Sequence, residues 1–125
     1  TPEMYLSFLK KIESFCSSKE DSHRPFDTAH HIFVRSDTTH EKSYELASEQ
    51  LSKRYGMDFR NATKKYVALG SPDNIAEFFI RFIDSGVRNF VIDFAGPENE
   101  RNEQAEIFGE QVLPALRKAP INGLI

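Results

Sequence analysis

Two short stretches of this sequence are apolar without alternation. Ile32-Phe33-Val34 forms the centre of His30–Ser36, and Phe90-Val91-Ile92 the centre of Val87–Phe94. Successive side chains of a strand point to opposite sides, so consecutive β-prone residues mark a strand buried on both faces. Helical patterns lie between the two stretches. Strands separated by helices pair in parallel through crossovers. Parallel sheets of this kind are usually large and wrapped by helices, whereas two strands alone make a poor folding unit. The expectation is an α/β sheet or barrel that is incomplete alone, with neighbouring strands supplied by another chain or by further polypeptide. The alternative is a small self-contained α/β domain.

The rest of the chain reads around these strands. Thr1 caps a first helix that starts at Pro2 and carries Met4, Tyr5, Phe8, Ile12 and Phe15 at helical spacing. Residues 17–27 are polar, contain Pro25, and read as a loop. After the first strand, Thr38 with Glu41 has the form of a capping box. A helix follows to about Tyr55, with Tyr44, Ala47, Leu51 and Tyr55 inward, and Gly56 ends it. Met57 to Leu69 admits a short helix followed by an extended stretch, Tyr66 to Leu69. Gly70-Ser71-Pro72 is a turn, an N-cap and a first-turn proline. The helix it opens runs to Ser85 with Ile75, Phe78, Phe79, Phe82 and Ile83, and Gly86 closes it. Ala95-Gly96-Pro97 breaks the second strand. A last helix spans about Asn99 to Lys118 with Ala105, Phe108, Val112 and Leu116 inward, and Pro114 is placed to kink it.

The ordered set Gly70-Ser71-Pro72, Asp84-Ser85-Gly86-Val87, Asn89 to Asp93 and Val112-Leu113-Pro114-Ala115-Leu116-Arg117 resembles the C-terminal end of the bacterial luciferase-like family. These are flavin-dependent monooxygenases and related oxidoreductases. The likeness is strong from Tyr66 to Lys118 and looser over the rest of the chain. It implies the C-terminal part of a (β/α)8 TIM barrel, with residues 1–125 a single domain or fragment. His30–Ser36 and Val87–Phe94 would be the seventh and eighth strands. It also implies FMN or a deazaflavin as cofactor in the full enzyme, a small organic substrate and often molecular oxygen. The family's main flavin-phosphate contacts come from earlier strands, so no catalytic residue carries over, and the chain alone is expected to be inactive. The competing reading is a non-enzymatic α/β interaction module that oligomerises through its strand edges.

Site candidates are positional. Chemistry in such barrels occurs at the C-terminal ends of the strands. Arg35, Ser36 and Asp37 follow the first strand, and Asp93, Phe94, Ala95 and Gly96 follow the second. Ser36, Asp93, Phe94 and Gly96 are the cofactor-binding candidates, against the plainer reading of turns that stop a strand. Asp93 reads as an acid or acceptor, or as a partner for a nearby base. The charged run Glu98 to Glu106 reads as a solvated first turn. His30 and His31 are adjacent and point to opposite faces of a strand, so they do not chelate one ion, and no metal site is expected. Cys16 is the only cysteine. It reads as a buried, inert thiol, and a lone cysteine fits a reducing compartment, the cytoplasm by default. The net charge of -3 with interspersed signs gives no footprint for nucleic acid. No apolar run approaches the roughly 20 residues of a membrane span. The expected partners are the cofactor and substrate, together with a missing barrel segment or a second copy.

Overall fold

The computed structural model of the chain describes residues 1–16 and 27–119. Its elements are α1 (Pro2–Cys16), β1 (His30–Ser36), α2 (His40–Tyr55), α3 (Arg60–Tyr66), β2 (Ala68–Gly70), α4 (Pro72–Asp84), β3 (Phe90–Phe94), a 3-10 turn (Glu98–Glu100), α5 (Arg101–Ile107), a π turn (Phe108–Val112) and α6 (Leu113–Lys118). The three strands form one parallel sheet in the order β2-β1-β3. β1 and β3, the two strands evident from sequence, are direct neighbours, with His30 opposite Phe90 and Val34 opposite Phe94. The stretch before Gly70 does supply a short helix and a third strand. β2 joins the far side of β1 and pairs only with Val34–Ser36. It does not lie between β1 and β3, where strands that follow one another around a barrel would put it.

Alternation along β1 divides the core in two. Ile32 and Val34 face a layer built by Ile75, Phe79 and Phe82 of α4 with Phe108 and Val112 of the C-terminal helix. Phe33 faces the other side, where Ala47 and Leu51 of α2 pack with Leu69 and Ala95. Helices therefore cover both faces, as the unalternated strand centres require. On the α2 side the cover is partial: Val91, the second residue of β3, is 55% exposed.

Local chemistry sets the helix ends. Ser71 accepts from the N–H of Asn74, and the Asn74 side chain accepts from the N–H of Ser71, with Pro72 in the first turn. Gly56 ends α2 in the left-handed region at φ 63°. The N-cap of α2 is Thr39, not Thr38: its side chain accepts from the N–H of Lys42. The Asp37 carboxylate takes the N–H of Thr38 at 2.9 Å, which keeps that residue in the turn and moves the cap one place on. Tyr55, expected inward, is 46% exposed, while Ser43 and Ser48 are buried. β3 starts at Phe90 rather than Val87. The N–H of Val87 bonds back to the Phe82 carbonyl, and the Arg88 guanidinium caps the carbonyls of Ile83 and Val87, so this segment finishes α4.

The last helix is interrupted by its π turn. Pro114 has no N–H to give the carbonyl of Glu110, and its ring would press on it in a regular α-helix. The widened turn just before it relieves that contact. Gln104, Phe108, Val112 and Leu116 then fall four apart and turn toward the sheet. Gln104 is buried and Ala105, expected inward, is exposed. α1 turns Tyr5 to the body of the protein. The Tyr5 hydroxyl shares a hydrogen bond with Thr28, and its ring meets His30 edge-on. Met4 and Phe8, from the same apolar series, remain exposed. Of the loop read over residues 17–27, residues 17–26 lie outside the described set, as does the side chain of Cys16. Among the described residues no helix is long and apolar enough to cross a membrane.

His30 stacks on Phe82 at 4.3 Å between ring centres. Burial pushes its pKa below the ordinary 6.5, and the terminal ammonium of Thr1 and the His31 ring push the same way. The unfolded chain therefore binds a proton that the folded chain resists, so stability falls as pH drops below about 6.5 and levels off once the folded-state pKa is passed. Urea denaturation between pH 7 and 5 should show this decline, and His30→Phe should flatten it.

Candidate functional site

The C-terminal ends of β1 and β3 lie side by side, because the two strands are parallel and in register. Arg35 and Asp93 alternate onto the α2 face with Phe33. The Arg35 side chain is only 4% exposed. Its Nη2 donates to Asp37 at 3.1 Å and to the carboxylate of Glu100. One guanidinium thus ties the turn after β1 to the turn after β3. Gly96 makes this geometry available: its φ is 114°, and a Cβ there would lie 2.7 Å from Arg35 Nη1. Burial works against ionised Asp37. The Thr38 N–H, Arg35 and Lys42 together outweigh it and hold its carboxyl below the ordinary carboxylate range.

A second tie joins the same ends from the other face. The Gln104 amide accepts from the N–H of Ser36 at 2.8 Å and donates to the carbonyl of Ser36 at 2.9 Å. Ser36 is buried, and its backbone is fully committed to that side chain.

Asp93 gathers three cationic or titratable groups. Arg54 Nη1 donates to it at 2.8 Å, His31 Nε2 stands 3.7 Å away, and Arg101 Nη2 stands 4.0 Å away. The hydrogen bond and charge of Asp93 raise the Arg54 pKa above its ordinary value. The guanidinium of Arg54 also lies over the rings of Phe33 and Tyr55, a cation–π arrangement that fixes it in place. Beside this cluster a cleft of about 690 Å³ opens between α2 and the β3–α5 turn. Leu46, Glu49, Gln50, Lys53 and Arg54 form one wall, with Lys53 paired to Glu49 at 3.8 Å, and Pro97, Glu98 and Arg101 form the other. The lining carries an apolar side chain on each side, an amide, three cations and two carboxylates, Glu49 and Glu98, a mixed lining suited to a polar planar ligand.

The four positional candidates separate on this geometry. Asp93 and Gly96 border the cleft: Asp93 holds Arg54 and Arg101 of its walls, and the Gly96 N–H approaches Gln50 at 3.4 Å. Ser36 lies beneath, clamped by Gln104. Phe94 points to the opposite face, where its ring meets Phe108 edge-on. His30 and His31 point to opposite faces. Among the described residues no group of His, Cys, Asp and Glu side chains is placed to hold a metal ion.

The run Glu98 to Glu106 is more than a solvated turn, since Glu100 holds Arg35 and Gln104 is buried. Arg54, Arg101, Gln50 and Gln104 were not singled out by sequence reasoning. One signal was present: Leu46, Gln50 and Arg54 recur every four residues, beside the inward Ala47 and Leu51, which places them on the rim of the buried face.

No protein-family model matches the sequence, and no curated protein matches it. Solved structures do match. The chain is similar to the coenzyme F420 dependent tetrahydromethanopterin reductase from Methanopyrus kandleri, with a TM-score of 0.63 and 17% identity over 93% of this chain and 43% of that one. The chain therefore spans less than half the length of the reductase it matches, and the two share a fold.

Replacing Gln104 leaves two buried backbone groups of Ser36 without partners. An unpaired buried group costs about 1–3 kcal/mol. Gln104→Ala should therefore lower the unfolding free energy in urea by about 2 kcal/mol or more, with the m-value unchanged.

Proposed function

We propose that this chain forms part of a flavin-type oxidoreductase and contributes one wall of its cofactor and substrate pocket. The observation that carries this reading is the cleft beside Asp93 at the C-terminal ends of parallel strands, in a fold matched to a coenzyme F420 dependent reductase. Ligands of open α/β sheets and of barrels both bind at that end. Coenzyme F420 is a deazaflavin, so a deazaflavin or FMN is the cofactor class. When bound, such a ring supplies two-electron redox chemistry.

The residues present fit one side of such a group. Gln50 offers both a donor and an acceptor for the polar edge of a flavin ring. Arg54 and Arg101 offer charge for an electron-rich edge or an anionic tail, and Leu46 and Pro97 offer apolar contact. Asp93 orients Arg54 through the 2.8 Å hydrogen bond. Gly96 lets the backbone come close to whatever fills the cleft. A small organic substrate, with oxygen as a co-substrate in the monooxygenase version, belongs to the same reading, as does a cytoplasmic site of action.

Titration of the labelled chain with FMN and with coenzyme F420, followed by NMR, tests this. The expected result is weak binding, with shifts confined to Arg54, Asp93, Gly96 and Arg101, and no turnover. Shifts elsewhere, or none at millimolar cofactor, would sink the proposal. Tight stoichiometric quenching of flavin fluorescence would instead show that the whole cofactor site is here.

A second reading is a non-enzymatic α/β module that oligomerises through strand edges. It is favoured by the exposed Met4, Phe8 and Val91. A stable dimer in solution would support it, and a monomer would remove it.

A further inference from the structure

β1 has two edges, and only one is fully used. β3 pairs with it from His30 to Val34, while β2 pairs only with Val34–Ser36. Backbone groups alternate between the two sides along a strand. His30 donates to Asn89 and Val34 accepts from Ala95, both on the β3 side, whereas Asp37 donates to Gly70 on the β2 side. Odd-numbered residues of β1 therefore turn their N–H and C=O toward the β2 edge. The Phe33 carbonyl meets Ala68 at the start of β2. The N–H of Phe33 and both backbone groups of His31 face a stretch of edge that no described strand takes. Groups of this kind are a template for pairing wherever another backbone can reach them.

They are reachable. A groove of about 1420 Å³ runs along this edge. His31 and Phe33 lie along it, Tyr66 and Val67 wall it from the α3 end, Phe78 and Phe82 wall it from α4, and Thr1 to Glu3 at the start of α1 border it as well. The open stretch, His30 to Phe33, is about 13 Å long at the usual strand rise, the span of four or five extended residues.

We propose that this groove receives one extended strand from a partner α/β unit, added parallel to β1 in line with β2. The ladder it would continue already exists, since β2 occupies the same edge in parallel from Val34 onward. Phe33, Tyr66 and Phe82 offer apolar contact beside this edge, and Lys64, Lys65, Glu77 and Arg81 line the groove further out, so the strand that fits has apolar side chains at its centre and charged ones at its ends. A second copy of this chain is the wrong shape. A two-fold pair would set two identical edges antiparallel, whereas the ladder already on this edge is parallel. The match covers 43% of the reductase, so that protein carries polypeptide beyond the matched part.

The probe is the synthetic peptide acetyl-Lys-Val-Thr-Ile-Thr-Val-Lys-amide, with amide exchange of the whole chain read by NMR. Bound peptide should slow exchange at His31 and Phe33 about tenfold or more, and leave Ile32, whose N–H faces β3, unchanged. His31→Pro removes one donor at a free edge, where proline is tolerated, and should abolish binding with the fold retained. Tyr66→Asp alters a wall without touching β1 and should weaken binding about tenfold if the wall contact is worth about 1.4 kcal/mol. The proposal is overturned if millimolar peptide leaves His31 and Phe33 exchange unaltered, or if His31→Pro binds as the unaltered chain does. It is equally overturned if both amides are protected without peptide, whether by this chain's own residues or by a concentration-dependent dimer.

Discussion

The parallel ladder between β1 and β3 joins His30 to Phe90 at one end and Val34 to Phe94 at the other, and its register decides which side chains meet which helices. Ile32, Val34, Phe90, Ile92 and Phe94 go to the face covered by α4 and the C-terminal helix. Phe33, Arg35, Val91 and Asp93 go to the face shared with α2. A slip of one residue in either strand would exchange the two sets. It would bury Asp93 beneath α4 and turn Phe94 into the cleft. The candidate site is thus a consequence of the same pairing that builds the core.

Much of this was legible in the sequence, and the parts that were not have a common cause. Both long strands, the Ser71–Pro72 helix start and the Gly56 stop follow from local residue chemistry, and local chemistry is what a sequence displays. The cap at Thr39 was displaced by a side chain, Asp37, competing for a backbone N–H. The burial of Gln104 rests on its hydrogen bonds to the backbone of Ser36, 68 residues earlier in the chain. The gathering of Arg54, Arg101 and His31 on Asp93 joins α2, the C-terminal helix and β1, and no spacing rule links residues 31, 54, 93 and 101. The positional candidates sit at the C-terminal ends of β1 and β3, and Asp93 and Gly96 lie beside the cleft. Ser36 and Phe94 lie away from it because consecutive residues of a strand face opposite ways.

The strand order bears on how the resemblance should be read. Consecutive strands of a closed barrel are neighbours, and all helices lie outside. Here β3 crosses past β2 to reach the other side of β1, and α2 lies on the face opposite α4. Successive connections that depart to opposite sides of one strand create a switch point, and the crevice at the C-terminal ends there is where open α/β sheets take ligands. The barrel reading and the open-sheet reading therefore point to the same end of β1 and β3. They differ over the α2 face, which a barrel would fill with its other strands and which α2 covers only in part here.

Arg35 shows how tightly that end is defined. A buried guanidinium stabilises little by itself, since desolvation offsets most of its attraction to carboxylates. Its Nη2 serves both Asp37 and Glu100, while Nε and Nη1 are buried without a hydrogen-bond partner. A methionine of similar length would fill the space without those unpaired donors. What it would not do is fix the two turns relative to each other, because it has no donor like Nη2 to reach both carboxylates at once. Gly96 accepts the left-handed backbone and the missing Cβ that let the fork pass. The arrangement gives up some stability to hold the loops after β1 and β3 in one relative position, and that position sets the width of the cleft between α2 and Pro97.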